Sequence, residues 1–221
     1  MQAPHLFEIN DQKLWLSADR SAYWEAQETL IVSDLHFGKT GHFRKSGIGV
    51  PQAVFKEDLQ RLLSLLQHFQ PKQLVIVGDL FHSHENKEMA LFQKWRENFP
   101  GIAFHLVKGN HDILPNAWYG QSGIELHEET MQVDRFCFIH DITTASGNSL
   151  PKAGYFFSGH IHPGVRVNGL AKQSLRFPCF YFGEKYAVLP AFSRFTGAAL
   201  IELKSKDQVF AIVENKIIRM Q

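Results

Sequence analysis

The stretch Gln73-Leu-Val-Ile-Val-Gly78-Asp79-Leu-Phe-His82 decides how the chain is read. A short β-branched run bounded by Gly and Asp reads as a buried strand. Its polar residues fall at the C-terminal end, where open α/β sheets gather their ligands. The pattern recurs along the chain. Thr29 to Ser33 (TLIVS) ends in Asp34-Leu-His36, and Ala103 to Val107 (AFHLV) ends in Lys108-Gly109-Asn110-His111-Asp112. Phe136 to Ile139 (FCFI) ends in His140-Asp141, and Tyr155 to Ser158 ends in Gly159-His160-Ile161-His162.

Helices are expected between the first three strands. Pro51 to His68 opens with Pro at a plausible first helical position, and Phe55, Leu59, Leu62 and Leu66 form one apolar stripe. It stops before Pro71. Asn86 to Asn98 carries Met89 and Phe92 on a similar stripe that runs on to Phe99, and Pro100-Gly101 ends it. Strand, helix, strand, helix, strand implies βαβ units with right-handed crossovers. After Gly120 helical pattern is nearly absent. Leu175 to Phe182, Tyr186 to Leu189, Ala198 to Leu203 and Val209 to Val213 read as strands, with turns at Gly147-Asn148, Asn168-Gly169 and Thr196-Gly197. The expectation is two sheets packed face to face with helices outside, in a single domain over residues 1–221.

Composition bounds the function. Of 221 residues 44% are hydrophobic and 20% charged, an ordinary globular balance that excludes intrinsic disorder. Lys plus Arg total 23 and Asp plus Glu 22, so the net charge of +1 argues against a strongly basic nucleic-acid coat protein. A local basic patch remains compatible with it. Cys137 and Cys179 are too few for a disulfide framework and lie in apolar strands, as inert buried thiols do. The N-terminal residues show no signal peptide, and no run approaches the ~20 apolar residues of a membrane span. A soluble, cytoplasmic protein without a membrane partner is the expectation.

The 12 histidines stand out, and His36, His82, His84, His111, His140, His160 and His162 cluster near glycine or aspartate. Alternate residues leaving a strand point the same way, so Asp34 with His36, or His160 with His162, can face one centre. A set of His, Asp and Asn without Cys suits Mn, Fe, Zn or Ni. So many ligands exceed one ion, whereas a bridging Asp would serve two ions ~3.5–4 Å apart. Any one of these motifs alone reads as a turn, a cap or a satisfied core histidine. Their shared placement after buried strands argues for a metal site.

The order D-x-H, G-D-x-x-H, G-N-H-D, H, G-H-x-H resembles the calcineurin-like metallophosphoesterases, with motifs running from Asp34 to His162. The resemblance implies an α/β (α+β) fold, a four-layer αββα sandwich of two mixed β-sheets flanked by helices. It also implies two divalent metal ions, manganese first, with iron, zinc or nickel as alternatives. It assigns Asp34, His36 and His162 to one ion and Asn110, His140 and His160 to the other, with Asp79 bridging. His111 corresponds to the family's protonated histidine facing the leaving-group oxygen. Many phosphatases of this superfamily carry Asp where this chain has His82. A histidine there resembles the DNA-repair nuclease branch, in which it assists the histidine of G-N-H-D. The plainer alternative for His82 is a hydrogen-bond donor behind the site.

The segment Gly38-Lys39-Thr-Gly-His42-Phe-Arg44-Lys45-Ser-Gly47-Ile-Gly-Val50-Pro51 is similar to the bacterial ligase-associated DNA damage response endonucleases. So are Tyr23-Trp24, Arg176-Phe-Pro-Cys179-Phe, Leu189-Pro190-Ala-Phe192 and Phe195-Thr196-Gly197. That likeness implies a DNA substrate and functional association with a DNA ligase, a helicase and an exonuclease-like protein. Lys39, His42, Arg44 and Lys45 follow the first metal motif, so they are candidates for contacts to flanking phosphates. The alternative for the loop is a solvated face, with Phe43 as a core anchor. The sequence therefore leads to a two-metal phosphodiesterase acting on nucleic acid, a DNA endonuclease in repair. The competing reading is a phosphodiesterase or phosphatase for small nucleotides, which the near-neutral charge favours.

Overall fold

The computed structural model describes residues 2–39, 53–82, 87–144, 154–168 and 174–220. Two mixed β-sheets lie face to face. The first runs in chain order: β1 (His5–Ile9), β2 (Gln12–Ser17), β3 (Ser21–Trp24), β4 (Thr29–Val32), β5 (Gln73–Val77), β6 (Ala103–Val107) and β7 (Ile124–His127). Neighbours from β1 to β4 are antiparallel and those from β4 to β7 parallel. Parallel neighbours need crossovers. Helices α1 (Ala53–Phe69), α2 (Lys87–Arg96) and α3 (Asn116–Gln121) lie in them.

The second sheet holds β8 (Thr130–Val133), β9 (Phe136–Ile139), β10 (Tyr155–Ser158), β11 (Pro163–Asn168), β12 (Ser174–Phe182), β13 (Tyr186–Val188), β14 (Ala199–Leu200), β15 (Gln208–Val213) and β16 (Lys216–Arg219). Its order is β14-β11-β12-β13-β10-β9-β8, with β15 added to β12 and β16 to β15. β10 is parallel to both β9 and β13, so its end is flanked on both sides.

Burial explains why the central strands read as unbroken apolar runs. Leu74 and Ile76 of β5 enter the core beneath the helices, while Val75 and Val77 enter the core between the sheets. Strands buried on both faces lose the alternation that a half-exposed strand shows. The helix-side core takes Phe55, Leu62 and Leu66 from α1, Met89 and Phe92 from α2 and Tyr119 from α3. The inter-sheet core is aromatic, with Trp24, Phe136, Phe138, Phe157, Phe182 and Phe210 in one cluster. On the outer face of the second sheet, Ile142 of a short 3-10 turn packs on Cys137, Ile139 and Phe156.

The expected sandwich of two sheets with outer helices is present. β5, β6, β9 and β10 occupy the residues the pattern implies. α1 ends as expected before Pro71, with Gln70 in the left-handed region and its N–H on the Leu66 carbonyl at 2.9 Å. The strand expected over Ala198 to Leu203 is confined to Ala199–Leu200. The apolar pattern does not mark the antiparallel meander β1–β3 or strands β7, β8, β11 and β16. Strands such as β1 and β7 put charge on one face, as at Glu8 and Glu125, so no long apolar run marks them. Gly147, Asn148 and Gly169 lie outside the described residues. Cys137 and Cys179 are buried free thiols, and burial pushes Cys179 up to about 12.

Phe157 is fully buried between the sheets, its ring 4.9 Å from that of Phe136 and 5.6 Å from that of Phe138. Phe157→Ala is expected to cost about 3–5 kcal/mol in urea unfolding, the usual cost of a buried phenyl ring. Leu175→Ala, at a side chain 61% exposed, should stay within about 0.5 kcal/mol.

Candidate metal centre

The ends of β4, β5, β6, β9 and β10 meet at one edge of the sandwich, where the backbone leaves the sheets abruptly. Asp34, His36, Asp79, His160 and His162 all have positive φ, at 52°, 49°, 50°, 65° and 51°. Such conformations cost on the order of 1–3 kcal/mol each for residues with a side chain, and persist only where the surroundings impose them. Here neighbouring loops impose them. The Asp34 N–H donates to the Gly78 carbonyl at 3.1 Å, and the His36 N–H to the Asp79 carbonyl at 2.9 Å. Strand alternation is therefore not what aims these side chains, because they lie beyond the strand ends. His160 and His162 alternate in sequence yet face different partners.

Two groups of donor atoms result. Asp34, His36 and His162 form one, with His36 Nε2 3.3 Å from His162 Nε2, and His162 Nε2 3.3 Å from Asp34 Oδ1. Asp79, His140 and His160 form the other, with His160 Nδ1 3.2 Å from His140 Nε2. Asn110 Oδ1 joins it, 3.1 Å from His140 Nε2. Asp79 lies between the groups, its Oδ2 3.8 Å from His36 Nε2 and 3.5 Å from His140 Nε2.

The chemistry of these atoms points to a cation. A carbonyl only accepts, so His140 Nδ1, 3.2 Å from the Val77 carbonyl, must carry the ring proton. His140 Nε2 then presents a lone pair to the Asn110 carbonyl oxygen and the Asp79 carboxylate, which are themselves acceptors. Acceptors converge on one point without a hydrogen between them, an arrangement that a divalent ion relieves. Burial, with His162, Lys39, His82 and His111 around it, pushes His36 down to about 2, so its ring stays neutral. Burial also pushes the Asp79 carboxyl up, against the pull of His140 and the His111 N–H. Each group can hold one ion, and Asp79 can reach both.

Around these groups sit the remaining candidates. His82 Nδ1 is 3.3 Å from His36 Nδ1, and the His82 ring stacks on His111 with centroids 4.5 Å apart. The His111 N–H donates to Asp79 Oδ1 at 2.9 Å. Asp112, 1% exposed, is a further residue of the site that strand-end patterning does not distinguish from a turn residue. It accepts from the Phe81 N–H at 3.1 Å and the Gly109 N–H at 2.9 Å, so it ties the loop after β6 to the loop after β5. Burial pushes its carboxyl up to about 7. Its place in G-N-H-D was the available signal.

Leu189-Pro190-Ala191-Phe192 also finds a physical role. The Phe192 N–H donates to the Ser33 carbonyl at 2.8 Å and the Ser193 N–H to the Asp34 carbonyl at 3.2 Å. Arg20 Nη1 donates to the Ala191 and Ser193 carbonyls, and the Arg61 guanidinium lies 4.1 Å over the Phe192 ring. This segment braces the loop that presents Asp34. Lys39 is half-buried, three residues after His36. His42, Arg44 and Lys45 lie outside the described residues. A cleft of about 440 Å³ opens beside the second group, lined by Lys108, Asn110, Glu128, His140, Asp141 and His160 among others.

The fold has counterparts among known proteins. A family model described as calcineurin-like phosphoesterase matches residues 28–183. The crystal structure of Pseudomonas putida nuclease MPE superposes with a TM-score of 0.81 at 26% identity, covering 98% of this chain and 100% of that one. Yfce, a phosphoesterase from E. coli, gives a TM-score of 0.46 at 14% identity over 86% of this chain and 96% of that one. No curated protein matches.

Gly78 has φ +78°, and a Cβ there would lie 1.9 Å from His140 Nδ1. Gly78→Ala should therefore push the His140 ring off the Val77 carbonyl and weaken metal binding by about 10–100-fold, the usual effect of disturbing the partners that orient a ligand. Metal content after dialysis reads this directly. Gly101→Ala, with nothing within 4 Å of the added carbon, is the control.

Proposed function

Since the chain belongs to the calcineurin-like phosphoesterase family and is a metal-dependent phosphoester hydrolase, we propose that it cleaves phosphodiester bonds of nucleic acid with two metal ions. On this reading residues 1–221 are one catalytic domain, a DNA endonuclease of cytoplasmic DNA repair. It would act alongside a DNA ligase, a helicase and an exonuclease-like protein. The observation that carries it is the pair of donor groups on either side of Asp79. End-to-end likeness to a nuclease supports the choice of substrate.

Asp34, His36 and His162 would hold one ion, and Asn110, His140 and His160 the other, with Asp79 placed between the two groups. The donor set of imidazole, carboxylate and amide oxygen suits manganese, with iron, zinc or nickel as alternatives. When bound, such a pair neutralises phosphate charge and makes water nucleophilic at neutral pH. His111 donates a proton to the leaving oxygen. Its backbone N–H on Asp79 holds it at a fixed distance from the donor groups. His82 stacks on His111 and limits how that ring can turn. Lys39, with His42, Arg44 and Lys45 after it, contacts phosphates flanking the scissile one.

One observation favours small phosphoesters instead: the cleft beside the second group also carries Glu128, Glu129 and Asp141, which repel a long polyanion. Metal-replete protein assayed on supercoiled DNA, single-stranded DNA, cyclic nucleotides and an aryl phosphodiester separates the two. Cleavage confined to the cyclic nucleotides and the aryl ester would remove the nuclease reading.

Two variants test the assignment of roles. Asp79→Asn should abolish turnover and lower bound metal, because a neutral amide cannot hold two cations together. His111→Ala should keep both ions yet lose roughly 10²–10⁴-fold in rate. That loss should shrink on the aryl ester, whose leaving group needs little protonation. Equal losses on good and poor leaving groups would make His111 a binding residue.

A further inference from the structure

Apart from the two groups at the strand ends, the described residues bring together one more set of metal-ligating side chains: His105, Glu125 and His127. They lie on β6 and the edge strand β7. The parallel register sets His105 opposite Glu125 and Val107 opposite His127. Glu125 and His127 are two residues apart, so both rise from the same face of β7. That is the face on which Val107, two residues after His105, enters the inter-sheet core. His105 is largely buried, with its side chain 11% exposed, whereas Glu125 reaches solvent.

The distances fit an ion. His105 Nδ1 is 3.3 Å from His127 Nε2 and 3.4 Å from Glu125 Oε2, and His127 Nε2 is 3.7 Å from Glu125 Oε1. Two nitrogens bound to a tetrahedral zinc ion at its usual bond length stand about 3.3 Å apart. From this juxtaposition we infer that His105, Glu125 and His127 form a separate zinc-class site, with solvent as the fourth ligand. For two imidazoles and one carboxylate raw affinity favours zinc over manganese, which stands lowest in the divalent series; the same order holds at Asp34, His36 and His162, where metal supply as well as affinity decides the ion.

The site's position gives it a purpose. Among the described residues β7 ends the sheet and pairs with β6 alone. β6 is also the strand that delivers Asn110 and His111. The Lys108 N–H donates to the His127 carbonyl at 2.9 Å, so the last residue of β7 is already tied to the start of that loop. An ion across His105, Glu125 and His127 pins the edge strand to the strand bearing the loop. It takes no part in hydrolysis, and its occupancy is independent of the function proposed above.

Zinc counting after equilibrium dialysis, by elemental mass spectrometry, tests this. Wild-type protein is expected to retain one more Zn²⁺ per chain than His127→Ala or Glu125→Gln. The same difference should separate Asp79→Asn from Asp79→Asn/His127→Ala. That background isolates the new site from the proposed catalytic pair, so failure of either reading is seen separately. Zn²⁺ should also raise the melting temperature of Asp79→Asn by more than it raises that of the double variant. Glu125 is exposed, so Glu125→Gln keeps the measurement valid should His127→Ala unfold. Equal zinc counts with and without His127 would overturn the site and leave a plain imidazole hydrogen bond. Manganese uptake that depended on His127 as strongly as zinc uptake does would overturn its assignment to the zinc class.

Discussion

Asp79 is 2% exposed and has histidine nitrogens of both donor groups within 3.8 Å of one oxygen. A buried carboxylate facing lone pairs is unfavourable without a cation. Much of the neighbouring structure can be understood as holding that arrangement in place. The backbone of Asp79 is itself in the left-handed region. One carboxylate oxygen accepts the His111 N–H. A side chain at Gly109 would bring its Cβ to 2.2 Å from the same oxygen. Glycine at 78 and 109 is thus demanded by the close approach of His140 and Asp79.

Holding several residues with positive φ in one cluster requires a rigid frame. The two cores provide it on either face of the first sheet. Parallel strands β4 to β6 deliver three loops side by side, and β9 with β10 deliver two more from the facing sheet. The loops then bond to one another rather than to water, as in Asp34 to Gly78, His36 to Asp79 and Gly159 to His140. Asp112 and the segment from Leu189 to Ser193 extend the same logic outward. Asp112 joins two ligand-bearing loops to each other, and the segment from Leu189 to Ser193 joins the Asp34 loop to β10 and α1.

The edge strand β7 is the weak side of this frame. It has four residues and, among the described residues, a strand partner only on the side of β6. An ion shared by His105, Glu125 and His127 would compensate for the missing neighbour at the point where the G-N-H-D loop begins. A tether there and a reaction centre at the other strand ends would then use the same residue types for different ends, one for cohesion and one for chemistry.

Much was legible in the residues alone. Unbroken apolar runs ending in Asp, Asn or His reveal buried strands and the ligands at their ends, because burial on both faces removes polar residues until the strand stops. The apolar stripe of α1 and its stop before Pro71 are equally local. Local pattern does not reveal β1–β3 or β7, whose pairing depends on partners elsewhere and whose outer faces tolerate charge. It also does not reveal how donor atoms divide. His160 and His162 are near neighbours in sequence, yet one faces His140 and the other Asp34, because left-handed backbone turns them apart. The roles of Asp112 and Phe192 likewise exist only across loops far apart in the chain. His105 and Glu125 are twenty residues apart in sequence, and only the parallel register of β6 and β7 sets them opposite each other. Sequence thus determined which residue types reach the strand ends, while tertiary structure decided which atoms meet, since hydrogen bonds between loops and not propensity set those distances.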